Sequence, residues 1–590
     1  MIKNRLKLLR EEMKKEGIDA YYIPTYDYHL SEMVGSYFKK REYMSGFTGS
    51  NGDLLVFANE ALLWTDGRYF LQAEDELKDT SIKLMKIGEE GVLSVFDYIV
   101  ANLKGGNTLG FDGKVIPASL GIRFNEALLR REVKINASFD LVSRIWSNQP
   151  AMSHEKAFEL GLEYAGKSRL EKLNDLQNML KMRQLDYTLI TSLDDIMWLY
   201  NLRGNDVACT PVCLSYTLVS QDKAILYVAS DALDANIKAR LEADKVELRP
   251  YMTIYEDIKD LKGKIYFDLN NLNYALYASF AKDTILYNGM NFTTLPKAKK
   301  NLVEIENIKK AHIKDGVAVT KFIYWLKHNI GLIPMTEISV AAKLEEFRRC
   351  DQHFIEPSFD TIAGYAHHGA IVHYSATKKT DIELKKENLL LVDSGGQYLE
   401  GTTDITRTIV LGPISDKCKK DFTNVLRGYL NLANAKFKQG ARGAALDVLA
   451  RNPLWQNYQD FNHGTGHGVG YLLNCHEGPQ SIHYGRITAH PIEEGMLTSD
   501  EPGLYIADEY GIRHESLLLT KKAVSNEYGN FLEFEVVTLV PFDLEGIDGS
   551  LMTDCEKNLL NTYHERVYKT ISPYLTADEA EWLKEVTKEI

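Results

Sequence analysis

The segment NLLLVDSGGQYLEGTTDITRTIVLG carries Asp393 at the end of one apolar strand pattern and Asp404 inside the next, with Gly395 and Gly396 turning the chain between them. A carboxylate set among Ile, Thr and Val is costly to bury unless something cationic faces it. One such aspartate reads as a turn cap or a surface residue; two on one hairpin point to a metal. Downstream, FNHGTGHGVGYLLNCHEGP gathers His463, His467 and His476. His463 and His467 have the spacing of helical zinc ligands, but the glycines between 464 and 470 oppose a helix, and no HExxH is present. Those glycines do not spell GxGxxG either, because position 469 is valine, which disfavours a dinucleotide loop. Small residues around histidines suit backbone that approaches a metal or substrate closely. Two glutamates complete the set. Glu501 precedes Pro502, which biases it toward extended backbone at a strand end. Glu515 sits mid-strand in GIRHESLLLT, where period two puts Arg513 on its side and His514 on the other. Arg513 is therefore a candidate clamp on the ligands, and His514 is not a ligand.

Asp393, Asp404, His467, Glu501 and Glu515 sum to four carboxylates and one imidazole, a charge that one cavity cannot hold without two divalent cations. Mostly oxygen donors favour Mn(II), and Zn, Co or Fe fit the same set. Two such ions about 3.5–4 Å apart share a hydroxide and polarise a carbonyl, an arrangement suited to hydrolysis.

These residues need a scaffold, and the chain is long enough to supply several. At 590 residues it exceeds one hydrophobic core, and three or four domains are expected. Residues 3 to 16 read as a helix, IDAYYIP as a strand, and EYMSGFTGSNGDLLVFANEALLWTDGRYF as alternating strands with glycine turns. From about residue 168 the order of helix, strand, aromatic–glycine segment and strands recurs, so two related α/β modules occupy 1–150 and 151–302. A long helix follows, with Ile305, Ile308, His312, Val319, Phe322, Ile323 and Leu326 on one face, and Thr336 caps the next. The catalytic region spans 303–527, and 528–590 forms a C-terminal extension of strands, then helices.

Composition narrows the function classes. A balance of 45% hydrophobic and 26% charged residues is that of a soluble protein, and a net charge of −13 argues against nucleic acid or anionic membrane as partner. Six scattered cysteines, with only Cys209 and Cys213 close together, read as reduced thiols in a cytoplasmic protein. The N-terminus lacks an apolar signal core, and no stretch approaches the roughly 18 apolar residues of a membrane helix.

With its motifs VDSGGQYLEGTTDITRT, HGTGHGVG, DEPG and GIRHES, the chain resembles the pita-bread metallopeptidases, specifically the three-domain Xaa-Pro aminopeptidases. The likeness extends to HHGAIVHY around His373, to LLWTDGRYF and WLYNLRGND in the front modules, and to EFEVVTLVP. It implies two creatinase-N-like modules ahead of a pita-bread domain, in an α/β (α+β) chain that forms a homodimer. It further implies that Asp393 binds one metal, that His467 and Glu501 bind the other, and that Asp404 and Glu515 bridge them. A bridging hydroxide would attack the carbonyl before a penultimate proline. His476 would stabilise the oxyanion, His373 would contact substrate or carry protons, and His463 would help form the proline pocket. One departure is His514, where the family usually has an apolar residue.

Rivals differ in testable ways. A prolidase shares the five ligands but cleaves dipeptides, and the duplicated front modules and C-terminal extension argue against it. A methionine aminopeptidase needs less chain, and creatine hydrolysis on this fold does without the metal set. A scaffold that kept the fold and lost catalysis would have lost ligands, and none is lost. WTDGRY (64–69) and NLRGND (201–206) read as turns between strands.

Overall fold

A computed structural model describes residues 1–590, which divide into two compact units. The first comprises Met1–Leu160 and Lys167–Thr293; the second comprises Gly161–Gly166 and Thr294–Ile590.

The first unit contains two six-stranded mixed sheets. In one, Ala20–Ile23 runs antiparallel to Asp53–Phe57 and parallel to Thr108–Gly110. In the other, Tyr187–Ile190 runs antiparallel to Ser215–Ser220 and parallel to Lys264–Phe267. The outer pairings repeat as well. Ala61–Thr65 and Lys83–Lys86 pair in parallel in the first, as Ala224–Val228 and Val246–Pro250 do in the second. Two sheets with the same strand order and the same directions, each opened by an amphipathic helix (Ile2–Lys15 and Arg169–Met182), are a structural duplication. Arg203 of the NLRGND segment is buried and donates to the Met197 and Leu202 carbonyls, while Arg68 of WTDGRY is held by Asp66. Neither motif is the expected turn between strands: WTDGRY leads from the strand Ala61–Thr65 into the helix Phe70–Glu76, and NLRGND leaves the helix Leu193–Tyr200 through the short strand Leu202–Arg203, because helix and strand patterns that short are hard to tell apart by periodicity.

The second unit opens with the long helix Leu302–Asn329, capped by Asn301 and Glu304 in a reciprocal box. Thr336 and Ser339 cap Glu337–Arg348 in the same way. The central six-stranded sheet runs in the order Lys436–Lys438, Gly529–Val536, Ser516–Asn526, Leu497–Asp500, Gly466–Gly468, Glu477–Ile482. A three-stranded sheet sets Leu389–Ser394 between Ile362–Tyr365 and Ile405–Val410. Helices Asp416–Ala433 and Gly443–Trp455 pack beside the sheets, and Leu426, Tyr429, Leu446 and Ala450 join Leu518, Leu532 and Phe534 in one apolar core. Gly529–Val536 pairs along Ser516–Asn526, so the C-terminal segment completes the central sheet. No helix is long and apolar enough to cross a membrane.

Two local expectations need correction. Asp404 stands just before its strand, and a small sheet of Phe354–Pro357, Gly396–Tyr398 and Gly401–Thr402 replaces the simple glycine turn. Glu515 lies in the break between Tyr510–Arg513 and Ser516–Asn526 instead of inside one strand.

Candidate metal centre

Three of the five acidic and imidazole groups sit where the chain leaves one sheet for another. Asp404 separates a strand of the small sheet from Ile405–Val410; Glu501 separates Leu497–Asp500 from Gly503–Ile506; Glu515 separates Tyr510–Arg513 from Ser516–Asn526. At such crossings a side chain can point between sheets, into space that neither ladder fills. Asp393 reaches the same space from the strand Leu389–Ser394, where it stands opposite Thr406. His467 comes from the short strand Gly466–Gly468. Its neighbours are glycines for a steric reason: a Cβ at Gly466 would meet the Ser499 carbonyl at 2.0 Å, and one at Gly468 the Glu477 carbonyl at 2.3 Å.

One ligand atom from each of Asp404, His467 and Glu515 lies within 4.8 Å of the others. His467 Nε2 stands 3.4 Å from Asp404 Oδ2 and 3.5 Å from Glu501 Oε1. Its Nδ1 donates to the Gly468 carbonyl at 2.9 Å, which leaves Nε2 as the ring atom that faces the two carboxylates. One imidazole nitrogen and two carboxylates converging on one point form a donor set that a divalent cation can occupy. Asp393 supplies another open acceptor: Oδ2 takes a hydrogen bond from Arg513 Nη2 at 2.6 Å, and Oδ1 is buried with no partner. Glu515 Oε2 accepts from Thr406 Oγ1 at 2.7 Å, and Ser499 Oγ donates to Glu501 Oε1 at 3.2 Å while accepting from the His467 amide at 2.9 Å.

Electrostatics agree with that geometry. Burial pushes Asp393 up, with Arg513 opposing and Asp404 adding to the rise. Burial pushes Glu501 up too, and Glu515 well above the usual carboxylate range, aided by repulsion from Asp404, Glu501 and Asp393. Burial also presses on Asp404, but its hydrogen bond with His467 and the charge of that ring hold it below its ordinary value. Left to themselves these carboxyls resist ionising together, and divalent cations are what such a set needs.

His476 is exposed, with its ring centroid 4.2 Å from that of His467. His463 is further off and joins the cluster through a relay. Its Nδ1 faces the Gly464 carbonyl at 2.7 Å, so Nε2 accepts from Tyr505 OH at 2.8 Å. Tyr505 OH in turn accepts from Arg513 Nη1 at 2.7 Å. Burial raises the Tyr505 phenol to about 12, so it keeps its proton. His373 is half-buried on the segment whose Val372 carbonyl accepts from Arg513 Nη2 at 3.4 Å. Tyr374 beside it donates to the buried Glu337 at 2.7 Å.

Residues 306–522 match the family described as metallopeptidase family M24, and 530–590 match the C-terminal region of that peptidase. Residues 5–142 and 148–304 each match a creatinase/prolidase N-terminal domain. Aminopeptidase P1 of Lotus japonicus is 36% identical, covering 100% of both chains. A probable Xaa-Pro aminopeptidase P of Laccaria bicolor is 37% identical over 98% of this chain and 92% of its own.

The chain belongs to the Xaa-Pro aminopeptidase family.

A solved structure of this family, the cytosolic X-prolyl aminopeptidase of Caenorhabditis elegans with a di-nuclear active site, superposes with a TM-score of 0.96 at 33% identity over 100% of both chains. The Xaa-Pro dipeptidase of Bacillus anthracis, 25% identical with a TM-score of 0.50, covers 64% of this chain and 99% of its own. As a member of the Xaa-Pro aminopeptidase family, the chain is a metallopeptidase with two creatinase-type modules ahead of its M24 domain. Several residues of the centre were missed by sequence reasoning. Thr406 went unnamed, although its place two residues on from Asp404 was a signal that could have found it. Tyr505, Ser499 and Cys475, whose Sγ donates to Asp404 Oδ2 at 3.2 Å, gave no signal, because only the fold brings them to the ligands.

Proposed function

We propose that this chain hydrolyses the bond between an N-terminal residue and a penultimate proline, with Asp393, Asp404, His467, Glu501 and Glu515 holding two divalent cations. The observation that carries this reading is His467 Nε2 facing Asp404 and Glu501, beside the open oxygen of Asp393. When bound, the cations supply Lewis acidity, which activates water and polarises the scissile carbonyl. A set dominated by oxygen donors favours Mn(II), with Zn, Co or Fe as alternatives.

The chain's own groups do the rest. Arg513 holds Asp393 and fixes which of its oxygens stays open. His476 would donate to the carbonyl oxygen as charge grows on it, a role supported by its exposed ring beside His467. His373 contacts the substrate or carries the proton that the proline nitrogen takes on cleavage. His463 lines the proline pocket, with its ring set by Tyr505. The family likeness supports a homodimer, and the likeness to the cytosolic enzyme of Caenorhabditis elegans supports a cytoplasmic location.

The test is hydrolysis of Arg-Pro-Pro, Gly-Pro and Arg-Ala-Ala after dialysis against EDTA and return of Mn(II). Cleavage of Arg-Pro-Pro alone, restored by metal, is the expected outcome. Preference for Gly-Pro would move the assignment to a prolidase. Failure to take up any divalent ion would refute it altogether.

A further inference from the structure

We propose that Lys297, Lys300 and Glu477 are positioning residues that hold His476 over the metal centre, an inference resting on the substrate-contacting role of His476 given above. Lys297 Nζ lies 2.9 Å from Glu477 Oε2 and Lys300 Nζ 3.2 Å from Glu477 Oε1, with side-chain exposures of 2%, 1% and 2% for Lys297, Lys300 and Glu477. Two ammonium groups flank one carboxylate, and all three are buried. Stability is a poor reason for that arrangement, since apolar side chains of similar size usually serve a core as well or better.

The setting gives a better reason. Lys297 lies on the short helix Thr294–Ala298, and the Lys300 amide donates to the Gly495 carbonyl at 2.9 Å, next to the bridge between Lys299 and Met496. The lysines are thus fixed to the turn that feeds Leu497–Asp500, the strand leading to Glu501. Glu477 opens the strand Glu477–Ile482, and the backbone makes room for it: a Cβ at Gly470 would come within 2.9 Å of Glu477 Oε2. On the other side of His476, Cys475 Sγ donates to Asp404 Oδ2. His476 therefore stands exposed between two neighbours that are both buried and tethered. With residues 475 and 477 held inward, the bend that precedes the strand leaves 476 facing solvent beside His467. One tether ends on a proposed ligand; the other ends on the two lysines.

The experiment uses the full chain loaded with Mn(II) and the substrate Arg-Pro-Pro. Lys300→Met leaves the Lys297–Glu477 ion pair in place and so folds even where Glu477→Gln, which takes the carboxylate from both lysines, does not. Lys300→Met should lower kcat by about 10- to 100-fold with little change in KM, as expected when a polar catalytic group shifts by about 1 Å. Bound Mn(II) should be unchanged, Lys300→Arg should recover most of the rate, and the rate at which diethyl pyrocarbonate modifies His476, read by mass spectrometry, should change. In a His476→Ala background Lys300→Met should have no further effect on kcat, because the two act as a unit. Parent-like kcat in Lys300→Met, or effects of the two changes that multiply, would overturn the proposal. Full kcat in His476→Ala alone would instead remove the role of His476 on which it rests.

Discussion

His564 lies on the helix Asp554–Ile571, against Phe542 and Tyr563. Its Nε2 accepts the Phe542 amide at 3.1 Å and so must be unprotonated, while Nδ1 is buried with no partner. Burial, followed by the nearby Arg407 guanidinium, holds its pKa down at about 3. The unfolded chain takes up this proton near the ordinary value of 6.5, and the folded chain not until about pH 3. The stability tied to this neutral ring is therefore complete above the unfolded pKa and is lost as pH falls through that window. From those two values the loss between pH 8 and pH 5 is about 2 kcal/mol, growing by about 1.4 kcal/mol for each further pH unit. His564→Gln keeps an acceptor for the Phe542 amide but cannot titrate. Thermal unfolding followed by circular dichroism should show parent and variant melting alike at pH 8 and parting by a few degrees at pH 5, the variant higher. Any metal lost in acid leaves both proteins equally, so the difference isolates this one group. Melting points that fall in parallel from pH 8 to pH 5 would refute the reasoning.

Arg513→Met leaves Asp393 without its guanidinium and should weaken cation binding by about 10- to 100-fold, read by calorimetric titration with Mn(II); parent-like affinity would count against the clamp. Tyr505→Phe cuts the link between Arg513 and His463, a hydrogen bond of about 1 kcal/mol, and should raise KM for Arg-Pro-Pro about fivefold with kcat nearly unchanged. A fall in kcat alone would instead place Tyr505 with the reacting groups. Arg203→Glu strands two buried carbonyls and a charge in the first unit, and should cost about 3–5 kcal/mol, seen as a lower melting point; a stable Arg203→Glu protein would show that its burial matters little.

The proposed ligands were legible because each is a polar residue interrupting an apolar or glycine-rich pattern, as Asp393 does in LLLVDS and Glu515 in GIRHESLLLT. The duplicated front modules were legible from the recurrence of helix and strand, because these elements are local. What periodicity does not show is pairing. Asp404 and Glu515 look like interior strand residues, because apolar neighbours continue on both sides. Glu515 stands at a crossing because Tyr510–Arg513 pairs with Gly503–Ile506 while Ser516–Asn526 pairs with Leu497–Asp500 and Gly529–Val536, and Asp404 does so because Gly401–Thr402 pairs with Gly396–Tyr398 while Ile405–Val410 pairs with Leu389–Ser394. The same non-local pairing brings Tyr505 to Arg513 and the Lys297–Lys300 segment to Glu477. His514 faces away from the site, between Phe422 and Phe542, as the alternation of side chains requires.

Arg407, three residues beyond Asp404, donates to the Thr406 and Glu515 carbonyls and also to Val540, Pro541 and Tyr563 OH, with Phe542 under its guanidinium at 4.0 Å. One buried side chain thus ties the strands that carry Asp404 and Glu515 to the last part of the polypeptide. During synthesis all five proposed ligands have been polymerised once Glu515 is added, but the strand and helix that anchor Arg407 are still to come. The crossings that present Asp404 and Glu515 are thus braced by residues that come later in the sequence than either of them. A chain cut just after Glu515 would carry all five proposed ligands without the brace that sets two of them.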